Sequence, residues 1–381
     1  MDADGTAVPK GLEGVRVAET AISEVRGREG FYHYRGHDAI ALARSCRFEQ
    51  VWHLLVEGRL PDDGELAAFE EEIRRASRLP GEAARLLPEV ASLGEPYRPL
   101  EALRTAYSLM VGALGMPPWL DEGVGRLRQQ ALATGAMFPV LVTSLERLRR
   151  GLDPIAPDGE LSYAANYLYM ISGEVPAAEH VRALDAYLIS TIDHGFNAST
   201  FTARIVASTG ADLGSAVIAA LGALSGPLHG GAPGRALDML DEIGRAEQAE
   251  GWLRSQLEEG RRLMGFGHRV YRTDDPRSVM LHSIARELGG DRVALAEAVE
   301  KQALALLAEH RPGRDLYTNV EFYAGVVLDR IGLPRELFTP TFACARVIGW
   351  TAHVLEQAAA NRLIRPSASY VGPDPDLAAA G

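Results

Sequence analysis

From Gly36 onward the chain consists of helix-length segments with apolar residues at helical spacing, and this pattern constrains the fold more than any other feature. The segments run for about 10 to 20 residues between Pro, Gly and Asp positions that begin or end helices. Strand–helix alternation is missing, which argues against a doubly wound parallel sheet. The sequence therefore predicts an all-α fold. The clearest predicted helices cover residues 48–57, 63–77, 99–114, 124–150, 162–171, 177–192 and 199–208.

The residues before Gly36 follow a different pattern. Residues 15–22 alternate between apolar and other side chains in the manner of a strand, and residues 26–30, Arg-Gly-Arg-Glu-Gly, are typical of a turn. An aromatic run, Phe31 to Tyr34, follows directly. We therefore predict a small N-terminal β-hairpin ahead of the helices.

Composition excludes several classes of protein. With 381 residues, 47% of them hydrophobic, the chain can bury a large core and is long enough for two domains. The net charge of −12 comes without a long basic run, which argues against a nucleic acid or a membrane surface as a partner. No segment has the length of a transmembrane helix or the pattern of a signal peptide, so we expect a cytoplasmic protein.

The two cysteines, Cys46 and Cys344, fit neither a metal-binding spacing nor a disulfide framework. We expect both to be buried apolar residues in a reducing compartment. The sequence therefore predicts no metal site.

A glycine-rich stretch, residues 227–234, aims His229 at the predicted start of a helix. Its glycines allow a tight turn, and Pro233 suits the first helical position. The positive end of the helix disfavours a protonated histidine. A neutral imidazole can donate a hydrogen bond to a developing oxyanion, as an enolate-forming enzyme requires. A glycine-rich loop with an incidental histidine is the alternative.

Residues 193–200, Asp-His-Gly-Phe-Asn-Ala-Ser-Thr, place His194 in a polar loop between two apolar helices. Polar groups in a buried loop need partners from the protein or from a ligand. One interpretation is a binding site that includes His194. The other is an ordinary helix connection in which Asn197 or Ser199 caps the next helix.

A second glycine-rich stretch, residues 264–272, holds His268 and is rich in arginine. Between residues 261 and 277, five arginines face two aspartates, a local positive excess in an acidic chain. Gly265 and Gly267 let the backbone approach a ligand, and arginines such as Arg269 suit carboxylates or phosphates. A phosphate loop is rejected because neither a Gly-Lys-Ser/Thr ending nor a preceding strand is present. A basic surface loop is the alternative.

Three more charged residues lie in apolar surroundings. Glu321 stands near a predicted helix start, where it is either a catalytic base or a partner of the helix dipole. Arg346 lies on an apolar helix and needs an anion, which a salt bridge supplies as well as a substrate. Arg365 adds another arginine near the carboxyl end.

Together, three loop histidines, one carboxylate and several arginines describe a site for enolate chemistry on a small polycarboxylate. In this combination the chain resembles the citrate synthase family over nearly its whole length. The motifs that carry the resemblance are residues 34–38, 194–200, 226–232, 265–271, 275–277 and 349–357.

The resemblance implies an almost entirely helical, two-domain fold with the active site in the cleft. The large domain would comprise residues 1–220 and 330–381, and the small domain residues 221–329. It also implies a homodimer in which Arg365 reaches across to the partner's site. No cofactor would be permanently bound, since acetyl-CoA is a co-substrate.

The resemblance further assigns roles to the site residues in a condensation of acetyl-CoA with oxaloacetate. Glu321 would remove a methyl proton while His229 stabilises the enolate, and His268 would polarise the ketone. The residues expected to hold oxaloacetate are His194, Arg277, Arg346 and Arg365. Those expected to bind coenzyme A are Met264, Gly265, Phe266, Gly267 and Arg269.

The chain departs from the family pattern beside the reacting methyl group. The family has an aspartate where this chain has Glu321 and a serine where it has Ala324, and Pro233-Gly234 replaces polar residues after the His229 motif. An extra methylene can displace the carboxylate by about 1 Å, which can cost roughly 100-fold in rate. Three hypotheses follow: an ordinary citrate synthase, a relative with another acyl-CoA or 2-oxo acid such as a 2-methylcitrate synthase, or a non-catalytic paralogue that binds CoA or dicarboxylates.

Overall fold

The structure is a computed structural model and describes residues 8–227, 229, 232–268, 270–311, 313 and 316–373. Within these residues the chain forms eighteen α-helices and one three-stranded antiparallel sheet. The predicted all-α class with a small N-terminal β element is therefore confirmed.

The strands are β1 (Ser23–Arg26), β2 (Phe31–Tyr34) and β3 (His37–Asp38). The helices are α1 (Ala39–Ser45), α2 (Phe48–Glu57), α3 (Asp63–Ala76), α4 (Gly81–Ala84), α5 (Leu87–Ser92), α6 (Pro99–Leu114), α7 (Trp119–Glu122), α8 (Val124–Arg149), α9 (Tyr163–Ser172), α10 (Ala178–Thr191), α11 (Ala198–Ser208), α12 (Leu213–Leu224), α13 (Ala232–Ile243), α14 (Ala246–Glu258), α15 (Pro276–Leu288), α16 (Asp291–His310), α17 (Val320–Arg330) and α18 (Phe338–Ala359). Short 3₁₀ turns occupy Lys10–Leu12 and Arg335–Leu337.

The seven predicted helices match the observed bounds to within one residue at either end. Local capping explains this agreement. Asp62 and Ser162 accept hydrogen bonds from the first turns of α3 and α9, and Gly58 and Gly173 end α2 and α9 in the left-handed conformation.

One local prediction is wrong. Residues 15–22 form no strand because the described residues supply no pairing partner, and β1 begins only at Ser23. Later in the chain, Gly244, which has a φ of 70°, separates α13 from α14. The predicted turn at residues 26–30 does join β1 to β2, and β3 extends this hairpin.

The sheet packs on the carboxyl end of α10. Tyr32 and Tyr34 are fully buried, and their hydroxyls donate to the carbonyls of Ser190 at 3.0 Å and Ile189 at 2.9 Å. Tyr34 also donates to the carbonyl of Asp193 at 3.0 Å. The sheet therefore holds the loop that leaves α10, where His194 lies.

Helices α8 and α18 form the centre of the core. A Cβ on Gly135 of α8 would lie 2.4 Å from Cδ1 of Ile348, so this glycine permits the close approach of the two helices. Pro139 interrupts the hydrogen bonding of α8, and the carbonyl of Gly135 instead accepts from the hydroxyl of Tyr163 at 3.2 Å. This rigid centre carries Arg346 on α18.

Across the ranges that the structure describes, we find no helix with the length and apolar character that crossing a bilayer demands. Cys46 and Cys344 are free thiols; Cys344 is buried as predicted, whereas Cys46 is only half-buried.

Candidate active site

The three predicted histidines lie in loops at helix ends. His194 follows α10, His229 follows α12, and His268 precedes α15. The rings of His194 and His268 lie with their centroids 5.8 Å apart and nearly perpendicular. Arg346 is close enough to lower the pKa of both His194 and His229. The structure thus gathers these groups around one point.

His229 is held by its Nε2 atom. Nε2 lies 2.8 Å from the Oγ of Ser199, which accepts the indole N–H of Trp350 at 3.1 Å and donates its hydroxyl proton to Oδ1 of Asn197 at 2.8 Å. With that proton directed to Asn197, Oγ accepts the Nε2 proton of His229. Burial and, secondarily, Arg346 lower the pKa of His229 to about 4. His229 is therefore neutral at pH 7, and its role as a hydrogen-bond donor to an oxyanion stays a prediction.

His268 is fixed in one tautomer by the backbone. Its Nδ1 accepts the amide N–H groups of Val270 and Tyr271, both at 3.0 Å, so the ring proton resides on Nε2. Burial, followed by Arg277, lowers the pKa of His268 to about 4. Nη2 of Arg277 lies 3.4 Å from this Nε2. Two donors thus converge, and a carbonyl or carboxylate oxygen bound there would accept from both.

His194 pairs with a tyrosine that the sequence argument did not assign. Nε2 of His194 lies 2.9 Å from the hydroxyl of Tyr271, and the ring of Tyr32 packs against its edge at 5.3 Å. Burial, and then Arg277 and Arg346, lower the pKa of His194 well below its ordinary value. His194 is therefore neutral and hydrogen-bonds without adding charge.

Arg277 is buried against Asp275. Its Nη2 and Nε donate to the two carboxylate oxygens at 2.8 and 3.0 Å. Burial opposes the charge on Arg277, but the contact with Asp275 outweighs it and raises the pKa of the guanidinium. Asp275 also caps α15 and accepts the amide N–H of Val320 at 3.2 Å, which links Arg277 to the start of α17.

Arg346 lies in the middle of α18 and is 2% exposed. Its Nε donates to the carbonyl of Thr191 at 2.8 Å, and the guanidinium stacks on Phe342 at 4.5 Å. No carboxylate among the described residues forms an ion pair with Arg346. The salt bridge that was the alternative for this residue is therefore not formed in the described chain.

Glu321 occupies the first turn of α17, where Asn319 caps the helix by accepting its amide N–H at 3.0 Å. The side chain is half-buried. Burial raises the pKa of Glu321 from 4.5 to about 7, against the attraction of Arg277 and Arg346. A carboxyl group with this pKa is suited to accept a proton at neutral pH.

The predicted coenzyme-binding loop packs on α17. A Cβ on Gly265 would lie 2.7 Å from the Cβ of Phe322, and the amide of Gly267 donates to the carbonyl of Tyr317 at 2.7 Å. Gly265 is thus required by packing, and the Gly267 amide is engaged within the protein. Met264 and Phe266 belong to the same loop, whereas Arg269 lies outside the described residues. The coenzyme role of this loop stays a prediction.

A cavity of about 290 Å³ opens beside His268. Its lining residues are His268, Tyr271, Arg272, Thr273, Asp275, Gly313, Leu316, Tyr317 and Thr318. It therefore adjoins the point where the two donors of His268 and Arg277 converge.

Arg365 is not brought to the other site residues within this chain. It is exposed and makes no hydrogen bond or ion pair with the part of the chain that is described. Its predicted role requires a second subunit and stays a prediction.

Five residues to which the sequence assigned no catalytic or binding role complete the site: Ser199, Trp350, Tyr271, Asp275 and Asn319. Asp275 and Asn319 carry a sequence signal, because Asp before Pro and Asn before an apolar helix are typical N-caps. Ser199 and Tyr271 contact histidines that are 30 and 77 residues away in sequence. No local pattern identifies such long-range partners.

Comparison with known proteins gives consistent matches. The family model described as citrate synthase, C-terminal domain, matches residues 11–367. A citrate synthase from Deinococcus radiodurans is 36% identical over 96% of this chain and 96% of its own. A 2-methylcitrate synthase from Mycobacterium tuberculosis is 41% identical over 96% of this chain and 91% of its own. The solved ternary complex of carboxymethyl coenzyme A and oxaloacetate with citrate synthase from Thermoplasma acidophilum superposes with a TM-score of 0.89, at 29% identity, over 97% of each chain. The chain therefore belongs to the citrate synthase family.

Proposed function

We propose that the protein condenses acetyl-CoA with oxaloacetate and releases citrate and CoA. One observation carries the proposal: the pKa of Glu321 is raised to about 7 within reach of two buried arginines, Arg277 and Arg346, and the same arginines help to keep the three site histidines neutral. This combination can remove a proton beside a thioester carbonyl and bind a dicarboxylate in the same place. Family membership supports it, and so does the Thermoplasma complex, which holds oxaloacetate and a CoA derivative.

Oxaloacetate is held by its two carboxylates and its ketone. Arg277 and Arg346 supply guanidinium groups to the carboxylates, and His194 supplies a neutral hydrogen bond. The Nε2 proton of His268 faces the ketone oxygen, beside Arg277. Arg365 of a second subunit completes the carboxylate contacts in a homodimer, because its exposed side chain has no partner in its own described chain.

The first chemical step forms the enolate of acetyl-CoA. Glu321 accepts a proton from the methyl carbon, and the electron pair shifts to the thioester oxygen. For this step the hydroxyl of Ser199 turns from Asn197 to Nε2 of His229, so that the ring carries its proton on Nδ1 and donates it as a hydrogen bond to that oxygen. Because His229 is already neutral, it supplies this hydrogen bond without first losing a proton.

The second step forms the new carbon–carbon bond. The enolate carbon attacks the ketone carbon of oxaloacetate, His268 stabilises the resulting alkoxide with a hydrogen bond from Nε2, and the alkoxide takes up the proton that Glu321 removed from the methyl group. Water then hydrolyses the citryl thioester, which yields citrate and free CoA. Exclusion of bulk water before this stage protects the thioester, which is the purpose of a cleft that closes between domains.

The location of the coenzyme and of the domains is part of the same proposal. The cavity beside His268 and the loop with Met264, Gly265, Phe266, Gly267 and Arg269 take the acyl-CoA. Residues 1–220 with 330–381 form the large domain, and residues 221–329 form the small one. A cytoplasmic location fits the two free thiols.

A second candidate is a 2-methylcitrate synthase, which would use propionyl-CoA. The observation behind it is that the Mycobacterium tuberculosis 2-methylcitrate synthase, at 41% identity, is as similar to this chain as the citrate synthases, at 36 to 40%. Glu321 and Ala324 also differ from the family pattern next to the reacting methyl group. A non-catalytic paralogue is disfavoured because the charged substrate contacts at Arg277 and Arg346 are retained.

Release of free thiol by the purified protein tests these functions. Acetyl-CoA and propionyl-CoA are each supplied with oxaloacetate, and the reaction without oxaloacetate is the control. Oxaloacetate-dependent release that strongly prefers acetyl-CoA supports a citrate synthase. A preference for propionyl-CoA supports the second candidate, and no release with either compound refutes both.

A further inference from the structure

The two buried arginines of the site are balanced in different ways. Arg277 contacts its counter-ion directly, since Nη2 lies 2.8 Å from Oδ2 of Asp275. Arg346 is equally buried, yet it forms no ion pair with any carboxylate of the described chain. A buried guanidinium without an anion is strongly unfavourable. Something other than a contact partner must therefore offset the charge of Arg346 while the site is empty.

Asp193 is the nearby negative charge. It is fully buried and precedes His194 directly. Burial opposes its ionisation, but His353, Arg346 and Ser23 together bring the pKa of Asp193 below its ordinary value. Burial lowers the pKa of Arg346, and the negative charge of Asp193 is the largest influence that raises it again. The two residues therefore attract each other without touching.

Two side chains hold the Asp193 carboxylate away from Arg346. The hydroxyl of Ser23 donates to its Oδ2, and Nε2 of His353 lies 3.5 Å from its Oδ1. Nδ1 of His353 lies 3.3 Å from Nη1 of Arg204. Because Arg204 can only donate, Nδ1 contributes its lone pair, and the ring proton faces Asp193. Each carboxylate oxygen thus has a neighbour other than Arg346, and neither forms an ion pair with Arg346.

The backbone is also fixed at this point. A Cβ on Gly349 would lie 2.4 Å from the carbonyl oxygen of Ile192 and 3.0 Å from Oδ1 of Asp193. Because Gly349 has no side chain, α18 packs directly against the backbone of the loop that contains Asp193. Because Arg346 and His353 lie on the same helix, the distance between Asp193 and Arg346 is set by rigid elements.

We propose that Asp193 is a positioning residue, the resting counter-ion of Arg346, which Ser23 and His353 keep out of contact so that the guanidinium stays free for a substrate carboxylate. A contacting carboxylate would have to be displaced by oxaloacetate, whereas a distant one offsets the charge and leaves the hydrogen bonds available. The inference rests on the proposed function in one respect, the binding of a substrate carboxylate by Arg346.

A double-mutant cycle measured without substrate tests the inference. The proteins are wild type, Asp193→Asn, Arg346→Met and the double variant, and the readout is the midpoint of thermal unfolding. Asp193→Asn keeps the shape of the side chain but removes its charge. We expect it to lower the midpoint by at least about 3 °C more in the wild-type background than in Arg346→Met. Asp185→Asn, at another buried aspartate, is the matched control and should have equal effects in both backgrounds.

An equal loss of the unfolding midpoint from Asp193→Asn in the two backgrounds would overturn the inference, because a role limited to the contacts with Ser23 and His353 does not depend on Arg346. If Asp193→Asn alone does not fold, folding of the double variant supports the inference, and failure of both overturns it.

Oxaloacetate provides a second readout. Because the ligand brings the missing negative charge, saturating oxaloacetate should raise the midpoint more in Asp193→Asn than in wild type, and an equal or smaller rise counts against the inference. If oxaloacetate raises the midpoint of none of the proteins, the proposed function fails, while the substrate-free cycle still decides the counter-ion role.

Discussion

Replacing Glu321 with glutamine removes the proposed base and, at the same time, a carboxyl group that is costly to ionise where it lies. Burial raises the pKa of Glu321 from 4.5 to about 7. At about 1.36 kcal/mol per unit, ionisation in the folded state costs about 3 kcal/mol of stability above pH 7. The folded protein binds this proton more tightly than the unfolded chain. Stability is therefore lost as the pH rises from about 4.5 to 7.

Glutamine has no proton to lose, so Glu321→Gln should escape this penalty. We expect the free energy of unfolding of the variant to exceed that of wild type by a margin that grows by about 2 kcal/mol between about pH 5.5 and pH 8.5. Urea denaturation across this range measures the margin. Glu89→Gln, at an exposed glutamate, is the matched control for the exchange of a carboxylate for an amide.

The same variant should lose catalysis. A positioned general base contributes about 100- to 10,000-fold to the rate, so kcat should fall by that factor while oxaloacetate still binds. The wild-type rate should rise with pH through about 7 as Glu321 ionises. Full turnover in Glu321→Gln would show that another group is the base. If the difference in the free energy of unfolding between Glu321→Gln and wild type does not change with pH, Glu321 is not a buried carboxyl group with a raised pKa.

Three further variants separate the roles of the remaining groups. Ser199→Ala should lower kcat about 10-fold with an unchanged KM for oxaloacetate, because His229 loses the donor that fixes its tautomer; steady-state kinetics measure both. Asp275→Asn should destabilise the protein by about 3 kcal/mol in urea denaturation, because Arg277 is left buried without its counter-ion. Arg365→Ala should weaken oxaloacetate binding in calorimetry while sedimentation still shows a dimer.

The helices could be predicted from the sequence because their ends are marked by residues that act locally. Asp62 and Ser162 cap by accepting hydrogen bonds within their own first turns, and Gly173 ends α9 by its own conformation. No residue within a strand fixes its ends in the same local way. Residues 15–22 alternate correctly, but alternation becomes a strand only where a neighbour supplies hydrogen bonds.

The site was predictable only in part, for the same reason. Each of His194, His229 and His268 is marked by its own glycine-rich or polar loop. Their partners are not, since Tyr271 reaches His194 across 77 residues and Ser199 reaches His229 across 30. Local sequence marks which groups carry the chemistry, whereas their tautomers and pKa values depend on contacts that only the folded chain creates.

Asp275 limits how the longer side chain of Glu321 can be accommodated. It holds Arg277 at 2.8 Å and the amide of Val320 at 3.2 Å, so any shift of α17 that moves the base also moves the carboxylate clamp. The extra methylene, which can displace a carboxylate by about 1 Å, must therefore be absorbed by the side chain of Glu321 itself. Accordingly, Glu321→Asp should change kcat and the ratio of acetyl-CoA to propionyl-CoA turnover while leaving oxaloacetate affinity within about 2-fold. A large loss of oxaloacetate affinity in this variant would mean that α17 itself shifts to accommodate the side chain and moves Arg277 with it.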